Sequence, residues 1–268
     1  MRKEVVILII AHKDYLSPQE VASLKQCYNI LGKHPIKLIC PKGLNVSAYK
    51  SVNNNPDIVF IDPKWQLSYR MFNELKKNQL LYKKFKKYKY ILFYELDAWV
   101  FRDELEYWCN KGYDYIGAPW FEGFNKPKSN KMLGVGNGGF SLRNVKSAIR
   151  ISRRIEFLKK VRNFWFKSHL QGVIRFETFV LHCSKYFKIH KIGNLGLVHL
   201  SHFSNEDWYW SQDIPTLFTD FKIAGNKEAM KFSFEVNPSA LFEMNKYTLP
   251  FGCHAWRKHE PEFWKEFI

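Results

Sequence analysis

The order of apolar and polar positions divides the first hundred residues into short buried strands separated by helices. Residues 5–10 form an uninterrupted apolar run rich in β-branched side chains, which is typical of a strand buried on both faces. Shorter runs at residues 36–40, 57–61 and 90–94 predict three more strands. Strands that alternate with helices favour parallel pairing, because parallel neighbours need a crossover connection. The sequence therefore predicts an α/β fold with a mostly parallel central sheet flanked by helices.

Two helices are predicted between these strands. Ser17 and Pro18 are typical of an N-cap and a first helical position, and Gly32 should end this helix after about Leu31. A second, polar amphipathic helix is predicted over residues 69–87. It leads directly into the strand at residues 90–94.

The pattern changes in the second half of the chain. Residues 114–117 predict another strand, and residues 122–132 read as a polar, mobile loop. Residues 134–142 should join a glycine-rich turn to a strand, and residues 143–167 should form a helix with one strongly cationic face. The last third is aromatic-rich and irregular. We find no repeat or linker, so one domain over residues 1–268 is expected.

The charge balance indicates an anionic partner. The formal net charge is +17, which suits nucleic acid, an acidic membrane surface or a phosphorylated substrate. The alternative is a basic surface that is only solvated. The dense lysine run at residues 83–89 is expected to be an exposed helix end. The aromatic content of 17% is high enough to allow rings that stack on ligands as well as rings in the core.

Cysteine usage favours a reduced environment. The five cysteines form no CxxC pair, which argues against a zinc site or a disulfide scaffold. The apolar run at residues 5–11 is too short to span a bilayer, and no cleavable signal pattern follows it. We therefore expect a cytoplasmic protein, with the inner face of the cytoplasmic membrane as a possible peripheral location.

Two carboxylates follow the buried strand at residues 90–94. Glu95 and Asp97 are two positions apart, so in an extended segment their side chains point the same way. Ligands of open α/β sheets bind beyond the carboxyl ends of the strands, and acidic groups there can hold a divalent cation. The alternative is a strand end followed by a helix cap, with Asp103 as a second cap.

Three later segments are further candidates for chemistry. Gly138 and Gly139 lie in a glycine-rich segment without the lysine of a phosphate loop, so it predicts a sugar- or acceptor-facing turn or a simple tight connection. Glu206 and Asp207 precede aromatic residues, and a carboxylate beside aromatic rings suits proton removal from a sugar hydroxyl. The alternative is a helix N-terminus, where the helix dipole stabilises acidic side chains. His254 is either a metal ligand or a structural histidine.

Taken together, these motifs resemble the GT-A type of nucleotide-sugar-dependent glycosyltransferase. The chain looks most like a bacterial family of such enzymes from surface-polysaccharide gene sets. The resemblance lies in the order of five motifs, at residues 90–101, 113–120, 136–143, 205–207 and 250–256.

The resemblance implies transfer of a sugar, with inversion, from a nucleoside diphosphate-sugar, expected to be a UDP-sugar. The acceptor would be a hydroxyl of a glycan or lipid-linked glycan in capsule or lipopolysaccharide synthesis. Residues 1–100 would form the nucleotide-binding half and residues 101–268 the acceptor-binding half, with the C-terminus returning to the metal site. The loop at residues 122–132 is a candidate lid.

The resemblance also implies roles for individual residues. Asp97, Glu95 and His254 would hold Mn²⁺ or Mg²⁺, with Asp97 the more direct ligand because Glu95 departs from the usual Asp-x-Asp motif. Asp207 would be the general base, within the catalytic pair Glu206 and Asp207. The residues expected to contact the donor or its metal are Glu95, Asp97, Asn73, His12, Gly138 and Gly139.

Two other functions fit part of the sequence. A nucleotidyltransferase would use the same metal and diphosphate chemistry but attack phosphorus. A non-catalytic basic module would bind an anionic membrane or nucleic acid through residues 83–89 and 143–167. No nucleic-acid-binding motif is present, so a nucleic-acid partner is not expected.

Overall fold

The computed structural model describes residues 3–167 and 205–268. The strands are β1 (Lys3–Ile10), β2 (Ile36–Pro41), β3 (Ile58–Ile61), β4 (Tyr88–Tyr94), β5 (Trp99–Val100), β6 (Tyr115–Ile116), β7 (Ala118–Phe121), β8 (Met132–Gly136), β9 (Phe140–Asn144), β10 (Ser233–Phe234) and β11 (Gly252–Cys253).

The helices are short apart from the first and the sixth. They are α1 (Pro18–Leu31), α2 (Ser47–Lys50), α3 (Tyr69–Lys77), α4 (Gln79–Lys84), α5 (Leu105–Asn110), α6 (Val145–Lys167), α7 (Glu206–Trp208), α8 (Ile214–Leu217), α9 (Asn226–Phe232), α10 (Pro238–Met244) and α11 (Pro261–Trp264). A 3-10 turn lies at Pro63–Gln66, and a π-helical turn at Tyr209–Asp213 joins α7 to α8.

The central sheet has six strands in the order β3-β2-β1-β4-β9-β6. The first four pair in parallel, whereas β9 pairs antiparallel with both β4 and β6. In the centre of the sheet, Ile7 of β1 lies between Ile36 of β2 and Leu92 of β4. The predicted α/β fold with a mostly parallel central sheet is confirmed.

Each face of the sheet has its own hydrophobic core. Along β1, Val6 and Leu8 belong to one core, and Ile7 and Ile9 belong to the other, as the two-residue period of a strand requires. Residues of α3, α4 and α6 cover the first face, and residues of α1 and α5 cover the second. Burial on both faces explains why β1 reads as a continuous apolar run. Burial of each such side chain stabilises the folded state by about 1.5–3 kcal/mol.

Helix α1 begins and ends where the sequence predicts. The Ser17 side chain accepts a hydrogen bond from the Glu20 backbone N–H, and Glu20 accepts one in return from the Ser17 N–H. This capping box stabilises the helix start by about 1 kcal/mol. Pro18 occupies the first helical position, and the helix ends at Leu31 before Gly32.

The single helix predicted over residues 69–87 is wrong, because the chain forms two helices with a break at Asn78. Asn78 adopts an extended conformation, and its side chain accepts a hydrogen bond from the Leu80 N–H. Asparagine favours this capping geometry because its side chain replaces a missing helical bond. The polar periodicity does not reveal such an interruption.

The glycine-rich segment also differs from its prediction. Residues 132–136 form β8, which pairs antiparallel with β7, so Gly134 and Gly136 lie in a strand rather than a turn. The turn is shorter and begins at Asn137, whose φ of 77° is in the left-handed region. The strand expected at residues 114–117 is reduced to two residues, Tyr115–Ile116.

The C-terminal segment returns to the central sheet through a small second sheet. Its strand order is β10-β11-β5, and β11 pairs antiparallel with β5, which follows β4 closely in sequence. A third core supports this sheet, with Phe121, Phe234, Leu241, Cys253 and Trp264. The pairing of β11 with β5 therefore brings this part of the chain beside the end of β4.

Several surface and redox predictions have direct outcomes. The run of lysines is exposed, as predicted: Lys83 and Lys84 end α4, Lys86 and Lys87 follow it, and Lys89 lies in β4. Four cysteines are free and buried, and Cys183 lies outside the described residues. Within residues 3–167 and 205–268, no helix combines the length and apolar character needed to cross a membrane.

Candidate active site

A cleft of about 470 Å³ opens at the edge of the sheet where β1 and β4 end. His12 lines it just after β1, and Glu95 and Asp97 line it just after β4. Tyr69 and Phe72 of α3 supply aromatic surface on another side. The cleft thus lies beyond the carboxyl ends of parallel strands, where open α/β sheets bind ligands. It brings His12 together with both predicted carboxylates.

The three predicted cation ligands lie close together. The His254 Nε2 atom is 3.1 Å from Asp97 Oδ1 and 3.8 Å from Glu95 Oε2. One ligand atom from each residue lies within 4.8 Å of the others. The cause is the pairing of β11 with β5, since Cys253 lies opposite Trp99 and the next residue is thereby placed beside the end of β4.

The imidazole of His254 is oriented by a carboxylate on its other side. The His254 Nδ1 atom is 2.9 Å from Glu235 Oε1, a contact typical of metal-binding histidines. The Nε2 atom is buried and makes no hydrogen bond of acceptable geometry with the described residues. An unpaired imidazole nitrogen that faces two carboxylates fits a divalent cation. Among the described residues, no other group of three potential ligands converges.

The charges in this cluster set ionised carboxylates around His254, and a divalent cation there would take the place of the proton on its imidazole. Burial lowers the pKa of His254. The neighbouring carboxylates have the larger opposite effect and place that pKa well above its ordinary value; they belong to Asp97, Glu235 and Glu95. Burial raises the pKa values of Glu95 and Asp97, but neighbouring cations outweigh it. Lys76 and His254 hold the pKa of Glu95 below its ordinary value. His254 does the same for the pKa of Asp97. Both carboxylates are therefore ionised at neutral pH.

A buried ion-pair network lies behind the cluster. The ammonium of Lys76, a residue only 2% exposed, is 2.6 Å from Glu95 Oε1, 2.9 Å from Glu206 Oε1 and 2.9 Å from the Gly138 carbonyl. Arg143 lies 2.5 Å from the second Glu206 oxygen. Lys76 thereby occupies one oxygen of Glu95, and the other oxygen faces His254.

Glu206, which was predicted to share catalysis with Asp207, belongs to this network. Glu206 is 3% exposed, and its two oxygens pair with Lys76 and Arg143. Burial raises its pKa, but the two cations prevail and hold that pKa below its ordinary value. A carboxylate held in this way is a poor proton acceptor, so of the predicted pair Asp207 is the better candidate for a general base.

Asp207 has the opposite environment. It is half-buried, and its Oδ1 accepts a hydrogen bond from the Trp208 backbone N–H. Burial and the charges of Glu206 and Glu235 raise its pKa to about 6. A carboxylate with a pKa close to neutrality is suited to general-base catalysis. Its interaction with Glu235, the partner of His254, links it to the cation cluster.

Gly138 and Gly139 were predicted to contact the donor, and their missing side chains make room for residues of the site. A Cβ atom at Gly139 would lie 2.0 Å from His254 Nε2, and one at Gly138 would lie 1.9 Å from Glu206 Oε1. The Gly139 carbonyl also accepts a hydrogen bond from the Glu95 N–H, at 2.8 Å. These glycines therefore let His254 and Glu206 pack against the turn.

Asn73 was also predicted to contact the donor, and in the structure its side chain makes hydrogen bonds within the protein. Its Oδ1 accepts a hydrogen bond from the Glu206 N–H at 2.8 Å, and its Nδ2 donates to the Tyr69 carbonyl. With 6% exposure it has little surface for a ligand. Asn73 therefore holds the start of α7, which places Asp207.

Sequence reasoning missed Lys76, Arg143 and Glu235. Lys76 follows Asn73 by one helical turn, so both point from α3 toward the same region. Arg143 shares a strand face with Ser141 and donates to its hydroxyl, and an arginine within an otherwise buried strand is itself a signal of a partner. Glu235 follows the short strand β10, and nothing in the sequence marks that strand.

Loss of the Lys76 charge is expected to destabilise the protein. In Lys76→Met, Glu206 keeps Arg143, but the buried Glu206 and the half-buried Glu95 both lose a cation, so the free energy of unfolding should fall by about 3 kcal/mol. Urea denaturation measures this change. The same substitution at the exposed Lys83 should change stability by less than about 0.5 kcal/mol. Equal stabilities for the two variants would show that the network is not stabilising.

Comparison with known proteins gives a family and several similar structures. Core-mannan synthase A from Aspergillus fumigatus, in its Mn/GDP form, is similar at 10% identity and a TM-score of 0.48, over 84% of this chain and 73% of that one. The galactosyltransferase LgtC, solved with donor and acceptor sugar analogues, is similar at 13% identity and a TM-score of 0.49, over 93% and 86% of the two chains.

Mouse xyloside xylosyltransferase 1, in its apo form, is similar at 10% identity and a TM-score of 0.46, over 94% of this chain and 97% of that one. At these identities and scores, the likenesses carry no argument about activity. No curated protein matches the chain by sequence.

The family match covers the candidate site. Residues 55–254 match the model of DUF5672, described as a protein of unknown function. The matched segment contains α3, β4 and α7, and it ends at His254. Because it spans well over half of the 268 residues, the chain belongs to the DUF5672 family.

Proposed function

We propose that the protein is a metal-dependent glycosyltransferase that moves a sugar from a nucleoside diphosphate-sugar to a hydroxyl of a glycan acceptor. One observation carries the proposal. A cation-binding group, formed by Glu95, Asp97 and His254, lies near a separate carboxylate, Asp207, whose pKa is raised to about 6. The reaction needs both parts, because charge on a leaving diphosphate must be offset and a proton must leave the acceptor.

The residues of the cluster divide the binding of a cation between them. Asp97 and Glu95 would each offer one carboxylate oxygen, and His254 would offer Nε2. A divalent cation held there would offset the negative charge that develops on a departing diphosphate. The imidazole ligand favours Mn²⁺ over Mg²⁺, because Mg²⁺ prefers oxygen ligands and keeps its water.

The cleft beside the cluster suits the nucleoside of the donor. Its volume of about 470 Å³ lies in the range of small-molecule sites. Tyr69 is 70% exposed on its wall and presents a ring on which a nucleobase can stack. His12 offers a polar edge at the end of β1. A UDP-sugar is the donor that we propose.

Asp207 would accept the proton of the acceptor hydroxyl while that oxygen attacks the anomeric carbon. The attacking oxygen forms a bond to this carbon, the bond to the diphosphate breaks, and the proton passes to the carboxylate. A single displacement of this kind inverts the anomeric configuration. Asn73 and the Lys76–Glu206–Arg143 network would position Asp207 by fixing the start of α7.

A panel of nucleotide sugars tests the proposal. The protein is incubated with each sugar and Mn²⁺, with and without EDTA, and release of nucleoside diphosphate is measured. The proposal predicts release from at least one donor and its loss in EDTA. Release of pyrophosphate from nucleoside triphosphates, without consumption of any nucleotide sugar, would instead identify a nucleotidyltransferase.

A cationic stripe on α6 supports a membrane-associated acceptor. One face of the helix carries side chains that recur every three or four residues, namely Lys146, Arg150, Arg153 and the exposed Phe157. Arg150 is paired with Asp220, so Lys146 and Arg153 are the cations that this face offers to a membrane. Basic side chains with an aromatic ring suit the surface of an anionic membrane. We therefore include in the proposal a lipid-linked glycan of bacterial surface-polysaccharide synthesis, met at the inner face of the cytoplasmic membrane.

Vesicle binding tests this surface. The protein should sediment with vesicles that contain phosphatidylglycerol. Arg153→Glu should weaken this binding about thirtyfold, because it changes the charge by two units and each charge near the membrane contributes about 1 kcal/mol. Lys265→Glu, far along the chain on another exposed surface, is the control. If the protein binds neutral phosphatidylcholine vesicles as well as anionic ones, its membrane binding does not depend on these cations.

A further inference from the structure

Three aromatic rings form a cluster directly beside Asp207. Trp208, the next residue, stacks on Trp120 with ring centres 5.7 Å apart and planes 18° apart. Phe124 lies 5.8 Å from each of these two rings. The cluster joins α7 to β7 and the loop after it, so it connects Asp207 with a different part of the chain.

The cluster rests on a rigid base. Trp120 is 9% exposed and lies so close to Gly136 that a Cβ atom there would be 1.8 Å from the indole ring. Trp208 is fixed on another side, because its indole N–H donates to Asp213 at 3.0 Å. The orientation of the outer rings is therefore set by the protein before any ligand arrives.

The outer rings are open to solvent. Phe124 is 42% exposed and Trp208 is 39% exposed. Phe124 also has a φ of 50°, a left-handed conformation that is unfavourable for a bulky side chain. Its N–H donates to the Phe121 carbonyl at 2.9 Å, which holds this conformation. Strained residues of this kind cluster at ligand sites.

We propose that the exposed faces of Trp208 and Phe124 bind a sugar ring of the glycan acceptor and present its hydroxyl to Asp207. The C–H face of a pyranose is apolar and flat, so it matches an aromatic ring, while its hydroxyls stay available at the edge. Neither ring lines the cleft that we assign to the donor nucleoside. The identity of the ligand as the acceptor rests on the proposed function.

Saccharide binding tests this surface without any donor. Saturation-transfer NMR is recorded with maltohexaose, cellohexaose, chitotriose and tri-galacturonic acid against the wild-type protein, Trp208→Ala and Phe124→Ala. At least one saccharide should bind the wild type, and its Kd should rise at least tenfold in Trp208→Ala. The Trp208 backbone N–H that holds Asp207 remains in this variant.

The control is Tyr107→Ala, which removes an exposed aromatic ring on α5. Binding that is absent in the wild type, or equally weakened by the control, would overturn the inference. If nucleotide sugars are consumed but saccharide binding is the same in Trp208→Ala as in the wild type, the aromatic site is refuted and the proposed transfer stands. If saccharide binding depends on Trp208 but no nucleotide sugar is consumed, the proposed transfer fails and the aromatic surface remains a glycan-binding site.

Discussion

Asp207→Asn is expected to lower the rate of sugar transfer by about 10²–10⁴-fold, which is the usual contribution of a general base. Asparagine keeps the shape of the side chain and its hydrogen bond from the Trp208 N–H, but it cannot take a proton. The KM for the donor should stay within about twofold, because Asp207 is not among the cation ligands. Steady-state kinetics with the active nucleotide sugar measures both quantities.

The pH profile gives the same prediction a second readout. Because the pKa of Asp207 is raised to about 6, kcat/KM should fall about tenfold for each pH unit below that value, and the Asn variant should lack this limb. In the unfolded chain Asp207 has the lower, ordinary pKa of an aspartate, so its carboxyl group binds a proton more tightly in the folded state. The ionised form therefore costs stability above about pH 6, and Asp207→Asn should melt no lower than the wild type at pH 7.5.

A normal transfer rate in Asp207→Asn would place the base elsewhere. Loss of activity together with a large fall in melting temperature would instead mean that the residue acts through folding. The combination that supports the account is a slow, well-folded variant with an unchanged donor KM.

Asp97→Ala is expected to abolish metal-dependent turnover. The cluster would lose the carboxylate nearest to His254 Nε2, at 3.1 Å, and keep only one oxygen of Glu95, whose other oxygen pairs with Lys76. The Kd for Mn²⁺ in the presence of UDP should therefore rise by at least about a hundredfold. Isothermal titration calorimetry measures that constant directly.

Asp57→Ala is the matched control, because Asp57 is exposed and precedes β3 at the opposite edge of the sheet. This variant should bind Mn²⁺ and UDP as the wild type does. Full activity in Asp97→Ala, or equal Mn²⁺ affinity in the two variants, would refute the assignment of the cation site.

The position of the cleft could be predicted from the sequence, because a long buried strand appears as a continuous apolar run. The run at residues 90–94 predicts a strand buried on both faces, which places Glu95 and Asp97 at its carboxyl end, as the structure has them. In contrast, β5 and β11 have two residues each and no periodicity to detect. Their pairing brings His254 to Asp97, so its place depended on a family resemblance and not on pattern.

The parts that sequence reasoning missed are those where charges are buried. Lys76, Arg143 and Glu206 are each nearly inaccessible, whereas charged residues in a sequence are normally assigned to the surface. Only their mutual contacts make this burial tolerable, and such contacts join α3, β9 and α7 across the fold. The glycines at 138 and 139 also have a packing role that the sequence does not reveal, because a Cβ atom at either position would collide with a side chain of the site.

The most direct test of the account is a crystal grown with Mn²⁺ and a non-hydrolysable UDP-sugar, with anomalous data collected at the manganese edge. The account predicts one strong anomalous peak in contact with Asp97 and His254 Nε2, with the diphosphate beside it and the nucleoside in the cleft lined by His12 and Tyr69. A bound nucleotide elsewhere on the protein, or an ordered nucleotide in this cleft with no manganese peak at these residues, would contradict it.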